Sequence, residues 1–354
     1  MAGDGKIRAI ERILSSDAGE RWFRDGHRSW REGRDDERRP MSAREAQAQR
    51  RRDVKMLRRH CKGNPRGLRL ADLIESCGPR HRCLSGACIE CNRATQRVFV
   101  EASEALLRRS SVRVSAISIV LKNARVLVGS LSDPSDLFEP LSRHLQSALR
   151  LAGVRQAFGG FDVSANEHDR SRFSPHYRPH AYVFVPTRQF KRAEQKFRAF
   201  FATSDAVRRP VVARDFDGNP KALAYALKRN FQRRVTLPRQ RLSNGAIKRR
   251  NTRDRPLRAR QKVELGLALN QLGLGARIFL HGLRMVEAHG ELRIVRSALE
   301  PPYRGGRTRR IPRGAAARLI KPAARPNTVG TPSPSNAKRM RRTEIRSADN
   351  PRRR

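Results

Sequence analysis

The sequence lacks long apolar runs. The chain has 354 residues, and no apolar stretch in it reaches the length of about 20 residues that a membrane-spanning helix needs. No long helix with a clean apolar face is evident either. The N-terminal stretch MAGDGKIRAIERILSS contains acidic residues and no apolar signal core. We therefore expect a cytoplasmic protein that does not contact a membrane.

Acidic residues are also few. The chain has 33 Asp+Glu against 78 Lys+Arg, a formal net charge of +45. Such a field attracts polyanions, so nucleic acid is the expected partner. Lysine accounts for only 12 of the 78 basic residues, which leaves 66 arginines. Arginine suits bidentate phosphate contacts, although the codon bias of a GC-rich genome explains the same excess equally well.

Composition divides the chain into five segments. Residues 1–55 are charged and poorly patterned, and we expect them to be largely flexible. Residues 301–354 hold 16 Lys+Arg against 2 acidic residues and are expected to form a disordered basic tail. Between them we expect a Cys-rich segment at 56–110, a globular core at 111–235 and a basic helical extension at 236–300. The extension is either a helix-turn-helix DNA reader or a helical cap on the core.

The core alternates strand-like and helix-like patterns. Strands are predicted at RVSAISIVL, FGGFDVSAN, PHAYVFVP and RPVVARDF. Helices are predicted at PSDLFEPLSRHLQSALRLAG, QFKRAEQKFRAFFAT and NPKALAYALKRNFQRR. The order β-α-β-β-α-β-α with short connections predicts an α+β fold, in which helices cover an antiparallel sheet.

The cysteines form a candidate metal site. The chain has 5 Cys, too few and too clustered for a secreted disulfide framework. The spacing Cys88-x2-Cys91 lets one turn place two thiolates on a tetrahedral Zn²⁺. We expect a structural zinc site formed by Cys77, Cys83, Cys88 and Cys91. The alternatives for its fourth ligand are Cys61, His60 and His81. The main alternative function is a redox Cys-x2-Cys pair, but no thioredoxin-like strand precedes it.

Polar side chains share one face of two successive predicted strands. Residues alternate between the faces of a strand, so His180 and Tyr182 project together while the apolar residues between them face the core. Asp162 and Ser164 share a face of the preceding strand in the same way. If the two strands pair antiparallel, Asp162 and His180 meet on one polar surface.

The last predicted helix of the core carries a candidate nucleophile. Tyr225, Lys228 and Arg229 lie on one side of it, opposite Leu223 and Leu227. A tyrosine beside two cations can have a stabilised phenolate, which a phenol with a free pKa of about 10 needs for nucleophilic attack near neutral pH. The alternative is an ordinary amphipathic helix with a half-buried tyrosine.

The order of these motifs resembles the bacterial rolling-circle plasmid replication initiators (Rep proteins) of the HUH endonuclease superfamily. In that family a Cys-rich segment precedes the sheet, a Glu-hydrophobic-Thr strand precedes a His-x-His strand, and a helix carries Tyr-x-x-Lys. Here Asp162-Val163-Ser164 stands at the first strand motif, His180 at the first metal histidine, and Tyr225-x-x-Lys228 at the nucleophile motif. The resemblance covers roughly residues 58 to 235.

This resemblance implies an HUH/RRM-like core that nicks single-stranded origin DNA, or an origin hairpin, through a 5′-phosphotyrosine on Tyr225. It further implies a Mg²⁺ or Mn²⁺ ion held by Asp162 and His180, with Lys228 steadying the metal site or the phosphate charge. The chain departs from the family at Tyr182, which replaces the second metal histidine. His176 is then the expected replacement ligand, because a neutral phenol binds these ions poorly.

The sequence is compatible with two other functions. Loss of the metal site would leave a catalytically inactive relative that still binds DNA. A basic zinc-containing RNA-binding protein would explain the charge and the cysteines, but not the order of the strand and helix motifs. Nucleic-acid contacts are expected at six basic residues, Arg229, Arg233, Arg234, Lys248, Arg249 and Arg250.

Deleting residues 301–354 should weaken non-specific DNA affinity and flatten its dependence on salt, while any cutting activity survives. The reason is that the 16 cations of this segment release counterions from phosphate. Anisotropy titrations at several salt concentrations measure both effects. A full-length control with these basic residues replaced by glutamine should match the deletion. An unchanged slope of log K against log salt would show that the tail does not touch phosphate.

Overall fold

The computed structural model describes residues 4–16, 41–78, 80–204, 207–228, 231–237 and 252–297. All of them belong to one of two compact units of the chain, Met1–Arg304. The predicted tail at 301–354 lies outside the described residues, and the segment boundaries at 56, 111 and 236 stay predictions. No helix in the described ranges is long and apolar enough to cross a membrane.

Ten strands, eight α-helices and two short 3-10 helices, Pro134–Leu137 and Leu274–Arg277, are formed by the described residues. The strands are β1 Val114–Val120, β2 Val126–Leu127, β3 Ala157–His168, β4 His176–Pro186, β5 Val211–Asp215, β6 Gln232–Thr236, β7 Thr252–Pro256, β8 Ile278–His281, β9 Leu283–Ala288 and β10 Glu291–Arg296. The helices are α1 Asp4–Ser15, α2 Ala43–His60, α3 Pro65–Glu75, α4 Ile89–Ser110, α5 Glu139–Leu151, α6 Thr187–Arg198, α7 Pro220–Ala226 and α8 Ala259–Leu272.

The main sheet is mixed. Its strand order is β5-β1-β4-β3-β6-β7, with β2 also paired to β4 and β8 also paired to β3. The predicted α+β class is confirmed, and most strand pairs are antiparallel as predicted, but β6 runs parallel to β3. β8 and β6 pair with successive halves of β3, so that most of the backbone groups along this strand have a partner.

The parallel pairing of β6 with β3 is possible because α7 ends early. The sequence predicted a longer helix. We expected one helix through NPKALAYALKRNFQRR, but α7 ends at Ala226. The amides of Leu227 and Lys228 donate to the carbonyls of Ala224 and Tyr225, an i to i−3 pattern that tightens and closes the helix. The chain then enters β6 and pairs with β3. Apolar residues continue at helical spacing past Ala226 in the sequence, but in the structure the chain leaves the helix and pairs with the sheet.

The extension after residue 252 is not the predicted helical segment. α8 is its one described α-helix, and the apolar run that follows forms β8, which joins the main sheet beside β3. β9 and β10 then form a separate hairpin, against which α1 packs. A helix-turn-helix is therefore not formed by residues 252–297. Ile278 and Phe279 at the start of β8 agree with this outcome, since β-branched and aromatic residues favour strands.

Helices cover both faces of the main sheet. On one face, buried side chains such as Ile117 and Val183 pack with Leu145 of α5 and Phe197 of α6. On the other face, Phe158 and Phe184 belong to a second core that includes residues of α4 and α7. Each large apolar side chain that is fully buried contributes about 1.5–3 kcal/mol. The second face also carries the polar side chains of β3 and β4.

Gly160 permits α7 to lie directly on β3. A Cβ atom at this position would collide with the carbonyl oxygen of Ala226 and would come within 2.6 Å of the Leu227 side chain. The end of α7 therefore reaches the sheet only because residue 160 has no side chain.

Gly160→Ala should destabilise the fold by about 1–3 kcal/mol, because the new methyl group forces the end of α7 away from β3. Urea unfolding curves measure the change. Gly63→Ala is the matched control, since a Cβ at Gly63 meets nothing within 4 Å, and its free energy of unfolding should change by less than about 0.5 kcal/mol. Equal stabilities of the two variants would contradict the close approach of α7.

Candidate functional site

Asp162 and His180 form a cross-strand pair at the centre of the sheet. They are directly opposite in the antiparallel register of β3 and β4, as the alternation of side chains predicted. His180 Nε2 lies 3.1 Å from Asp162 Oδ2. The Asp162 side chain is only 6% exposed and that of His180 is 20% exposed. A buried carboxylate therefore orients a histidine that solvent and ligands can still reach.

Two cations from distant segments surround the same carboxylate. Lys228 follows α7, and its Nζ lies 3.8 Å from Asp162 Oδ2. Arg277 is buried just before β8; its Nε donates to the carbonyl of Phe161 at 3.0 Å and another of its nitrogens donates to the carbonyl of Lys228. Arg277 thereby joins the end of α7 to β3 and holds Lys228 beside Asp162.

These contacts fix the charge of the carboxylate. Burial alone would raise the pKa of Asp162, but His180, Lys228 and Arg277 outweigh it and the pKa is lowered. Burial lowers the pKa of Arg277 to about 10, and the Asp162 charge opposes that shift. Asp162 is therefore ionised at neutral pH and Arg277 remains a cation. Sequence reasoning missed Arg277, although an arginine between the apolar residues LGLGA and IFL was a usable signal.

Tyr225 reaches the same face of the sheet from α7. Its ring lies edge-on to that of Tyr182, with 5.1 Å between the ring centroids and 78° between the planes. Tyr182 projects from β4 two residues beyond His180, on the same face. The structure therefore places Lys228 beside Asp162 and Tyr225 beside Tyr182 on the face that carries the Asp162–His180 pair. Lys228 follows the helix instead of sharing its face. Arg229 lies outside the described residues.

His176 does not join this group. It lies four residues before His180 on β4, roughly 13 Å along the strand. Its Nδ1 contacts the carbonyl oxygen of Ser174 at 3.0 Å, and its Nε2 lies 3.3 Å from a guanidinium nitrogen of Arg178. Both ring nitrogens thus contact groups other than Asp162. His176 is therefore not placed as the replacement metal ligand that we expected.

The fit to a Mg²⁺ or Mn²⁺ ion is incomplete among the described residues. Such an ion takes about six ligands, mostly oxygens, and Asp162 and His180 supply two. Lys228 already occupies one side of the carboxylate. In the described ranges, the one group of three or more His, Cys, Asp or Glu side chains with metal-ligand spacing is made of cysteines.

That group is formed by Cys77, Cys83, Cys88 and Cys91, whose sulfur atoms all lie within 4.8 Å of one another. The sulfur of Cys91 is 3.6 Å from that of Cys77 and 3.7 Å from that of Cys83. Cys88 immediately precedes α4 and Cys91 lies in its first turn. The predicted four-cysteine cluster is confirmed, and it could hold a metal ion such as zinc.

The alternative fourth ligands lie outside this cluster. Cys61 is buried but packs against Gly67 instead, and neither His60 nor His81 belongs to the group. Hydrogen bonding to the Cys77 sulfur, contact with the other two sulfurs and burial raise the pKa of Cys88 well above its ordinary value. Four thiolates this close repel one another, so full ionisation of the set requires a bound cation.

The six expected nucleic-acid contacts have different positions. Arg233 is engaged within the protein, where it donates to Glu167 at 2.9 Å. Arg234 projects from β6 and lies 3.3 Å from Asp254 with its side chain 53% exposed. The remaining four lie outside the described residues, Arg229, Lys248, Arg249 and Arg250.

Comparison with known proteins gives no relative. No protein-family model, no curated protein and no solved structure matches this chain.

Cys88→Ala should abolish metal binding, because it removes one of four sulfurs that can surround a tetrahedral ion. Native mass spectrometry should find about one metal ion per chain in the unaltered protein and none in the variant. Cys61→Ala is the matched control, since it also removes a buried sulfur but lies outside the cluster, and it should keep the ion. A folded, metal-free protein with all four cysteines reduced would contradict the site.

Proposed function

We propose that the protein binds single-stranded DNA and cleaves it through a covalent bond to Tyr225, as a replication initiator does. The supporting observation is the convergence of Asp162, His180, Lys228 and Tyr225 on one face of the sheet. Three separate segments supply them, β3, β4 and the end of α7. The net charge of +45 favours a polyanionic substrate.

The chemical step is an in-line phosphoryl transfer. The hydroxyl oxygen of Tyr225 forms a bond to phosphorus, and the bond from phosphorus to the 3′-oxygen breaks. Tyr225 gives up its proton and the departing 3′-oxygen takes one up, which leaves a 5′-phosphotyrosine and a free 3′-hydroxyl. His180, oriented by Asp162, is the group that can relay the proton. Lys228 places a positive charge where negative charge develops on the phosphoryl oxygens.

Metal ions enter this proposal in two ways. For Mg²⁺ or Mn²⁺, only two ligands are present among the described residues, Asp162 and His180. The step above therefore relies on Lys228 and His180. A requirement for a divalent cation stays a prediction, which an assay with and without Mn²⁺ tests. For the cysteine cluster, we infer Zn²⁺, because four sulfurs at tetrahedral spacing suit that ion. Its role is structural, since it ties the segment before α4 to the start of that helix.

One observation favours DNA binding without cleavage as a second candidate. Tyr182 stands where the resembling family has its second metal histidine, and its ring packs edge-on against Tyr225. In a relative that had lost its metal site, this packing would be ordinary core structure, and the polar face would serve for binding alone.

Tyr225→Phe should abolish covalent attachment to single-stranded DNA and leave binding intact, because it removes one oxygen and keeps the ring that packs on Tyr182. Oligonucleotides from the DNA flanking the gene are incubated with the protein, with and without Mn²⁺, and a denaturing gel detects the adduct. Tyr182→Phe is the matched control and should still form it.

Three outcomes discriminate the candidates. An adduct that persists in Tyr225→Phe would refute the assignment of the nucleophile. An inert unaltered protein together with an active Tyr182→His variant would identify a binding protein that lacks one metal ligand. Retention of RNA in preference to DNA of the same sequence would favour an RNA-binding protein.

A further inference from the structure

A row of cations continues along the sheet beyond the Asp162–His180 pair. Arg178 lies on β4 two residues before His180, so it projects from the same face about 7 Å away. Its partner on β3 is Ser164, and Arg234 on β6 is opposite Asn166 of β3. This face therefore places guanidinium groups on both sides of a strand that carries a hydroxyl and an amide.

Arg178 is held in place by His176. A guanidinium has no acceptor, so the 3.3 Å contact requires Arg178 to donate to His176 Nε2. His176 then keeps its proton on Nδ1 and donates it to the carbonyl of Ser174 at 3.0 Å. Burial lowers the pKa of His176, which agrees with a neutral ring. The histidine that resembled a metal ligand is a positioning residue for an arginine.

The surroundings of Arg178 are cationic. Burial and then the charges of Arg125 and Arg234 lower its pKa. The carboxylates nearby are already paired, Asp254 with Arg234 and Asp162 with His180. The Nε of Arg178 is buried and has no hydrogen-bond partner among the described residues. The Arg178 side chain as a whole is only half-buried, and with the nearby carboxylates already paired, its positive charge is left for an anion from outside the chain.

An aromatic side chain borders the same row. The half-buried ring of Phe173 lies 5.5 Å from the ring of His176 and 5.6 Å from that of His168. Cations that follow a backbone, with an aromatic surface beside them, are the combination by which proteins bind unpaired strands. Paired bases would not present a face to Phe173.

We infer that Arg178, with Arg125 and Arg234 beside it and His176 behind it, binds a backbone phosphate of single-stranded DNA on the same face of the sheet as Tyr225. This inference rests on the proposed function for the identity of the strand. It concerns binding alone, so it can hold in a protein that does not cleave, and it can fail in one that does.

Arg178→Gln should lower the affinity for a single-stranded oligodeoxynucleotide about tenfold, because it removes one charge-assisted contact. The slope of log K against log salt should fall by about 0.7. Fluorescence anisotropy on the full chain measures both quantities. Arg178→Lys keeps the charge and should keep the slope, with a smaller loss of affinity, which separates the contact from a general loss of folding.

Arg143→Gln is the matched control. It removes the same charge from α5, on the opposite side of the sheet, where Arg143 is 72% exposed and 3.5 Å from Glu139. Its affinity should change less than about twofold. Equal effects of Arg143→Gln and Arg178→Gln on the affinity would overturn the inference, because non-specific electrostatic attraction of the DNA would then explain both.

Two further arms test the details. His176→Ala should weaken binding several-fold with the salt slope unchanged, and His176→Gln should recover part of the loss because its amide oxygen can accept from Arg178. A larger effect of Arg178→Gln on RNA or on duplex DNA than on single-stranded DNA would overturn the assignment of the ligand.

Discussion

The pairing of the buried Asp162 carboxylate with cationic groups is the interaction on which the polar face of the main sheet depends. Asp162 lies on β3, and the three groups that balance its charge come from β4, from the segment after α7 and from the turn before β8. A charge this deeply buried is tolerated only when it is paired. Four segments separated by up to 115 residues are thus required to meet at one point. The charge balance of Asp162 therefore ties these segments together around β3.

Arg277 contributes the part of this arrangement that is least visible in the sequence. Its guanidinium donates to one carbonyl on β3 and one beyond α7, so it holds the backbone as well as the charge. Gly160 complements it from the sheet side, because a side chain there would keep the end of α7 away. Tyr225 and Lys228 therefore owe their position to an arginine and a glycine that touch no substrate in the proposed reaction.

Strand alternation was enough to predict that Asp162 and His180 share a face, and spacing was enough to predict the cysteine cluster. Both are local rules that need few assumptions about the rest of the chain. The end of α7 was mispredicted, since helical spacing continued into residues that pair with β3 instead. The position of His176 was likewise beyond sequence reasoning, because the order of motifs shows which residue types occur but not which neighbour a ring nitrogen contacts.

The charges on this face determine how a phosphate would be held there in the proposed reaction. In a site with a divalent ion, the carboxylate would be a ligand and the ion would supply the positive charge. Here Lys228 and Arg277 already lie beside Asp162, and a divalent ion would have to approach against both. Fixed cations can stabilise developing negative charge without a metal, provided that they are preorganised. Lys228 at the carboxylate and Arg178 on the adjoining part of β4 are held in place by hydrogen bonds or ion pairs to the protein. In the proposed reaction, the positive charge that stabilises the phosphoryl group therefore comes from side chains, which removes the need for a complete set of metal ligands.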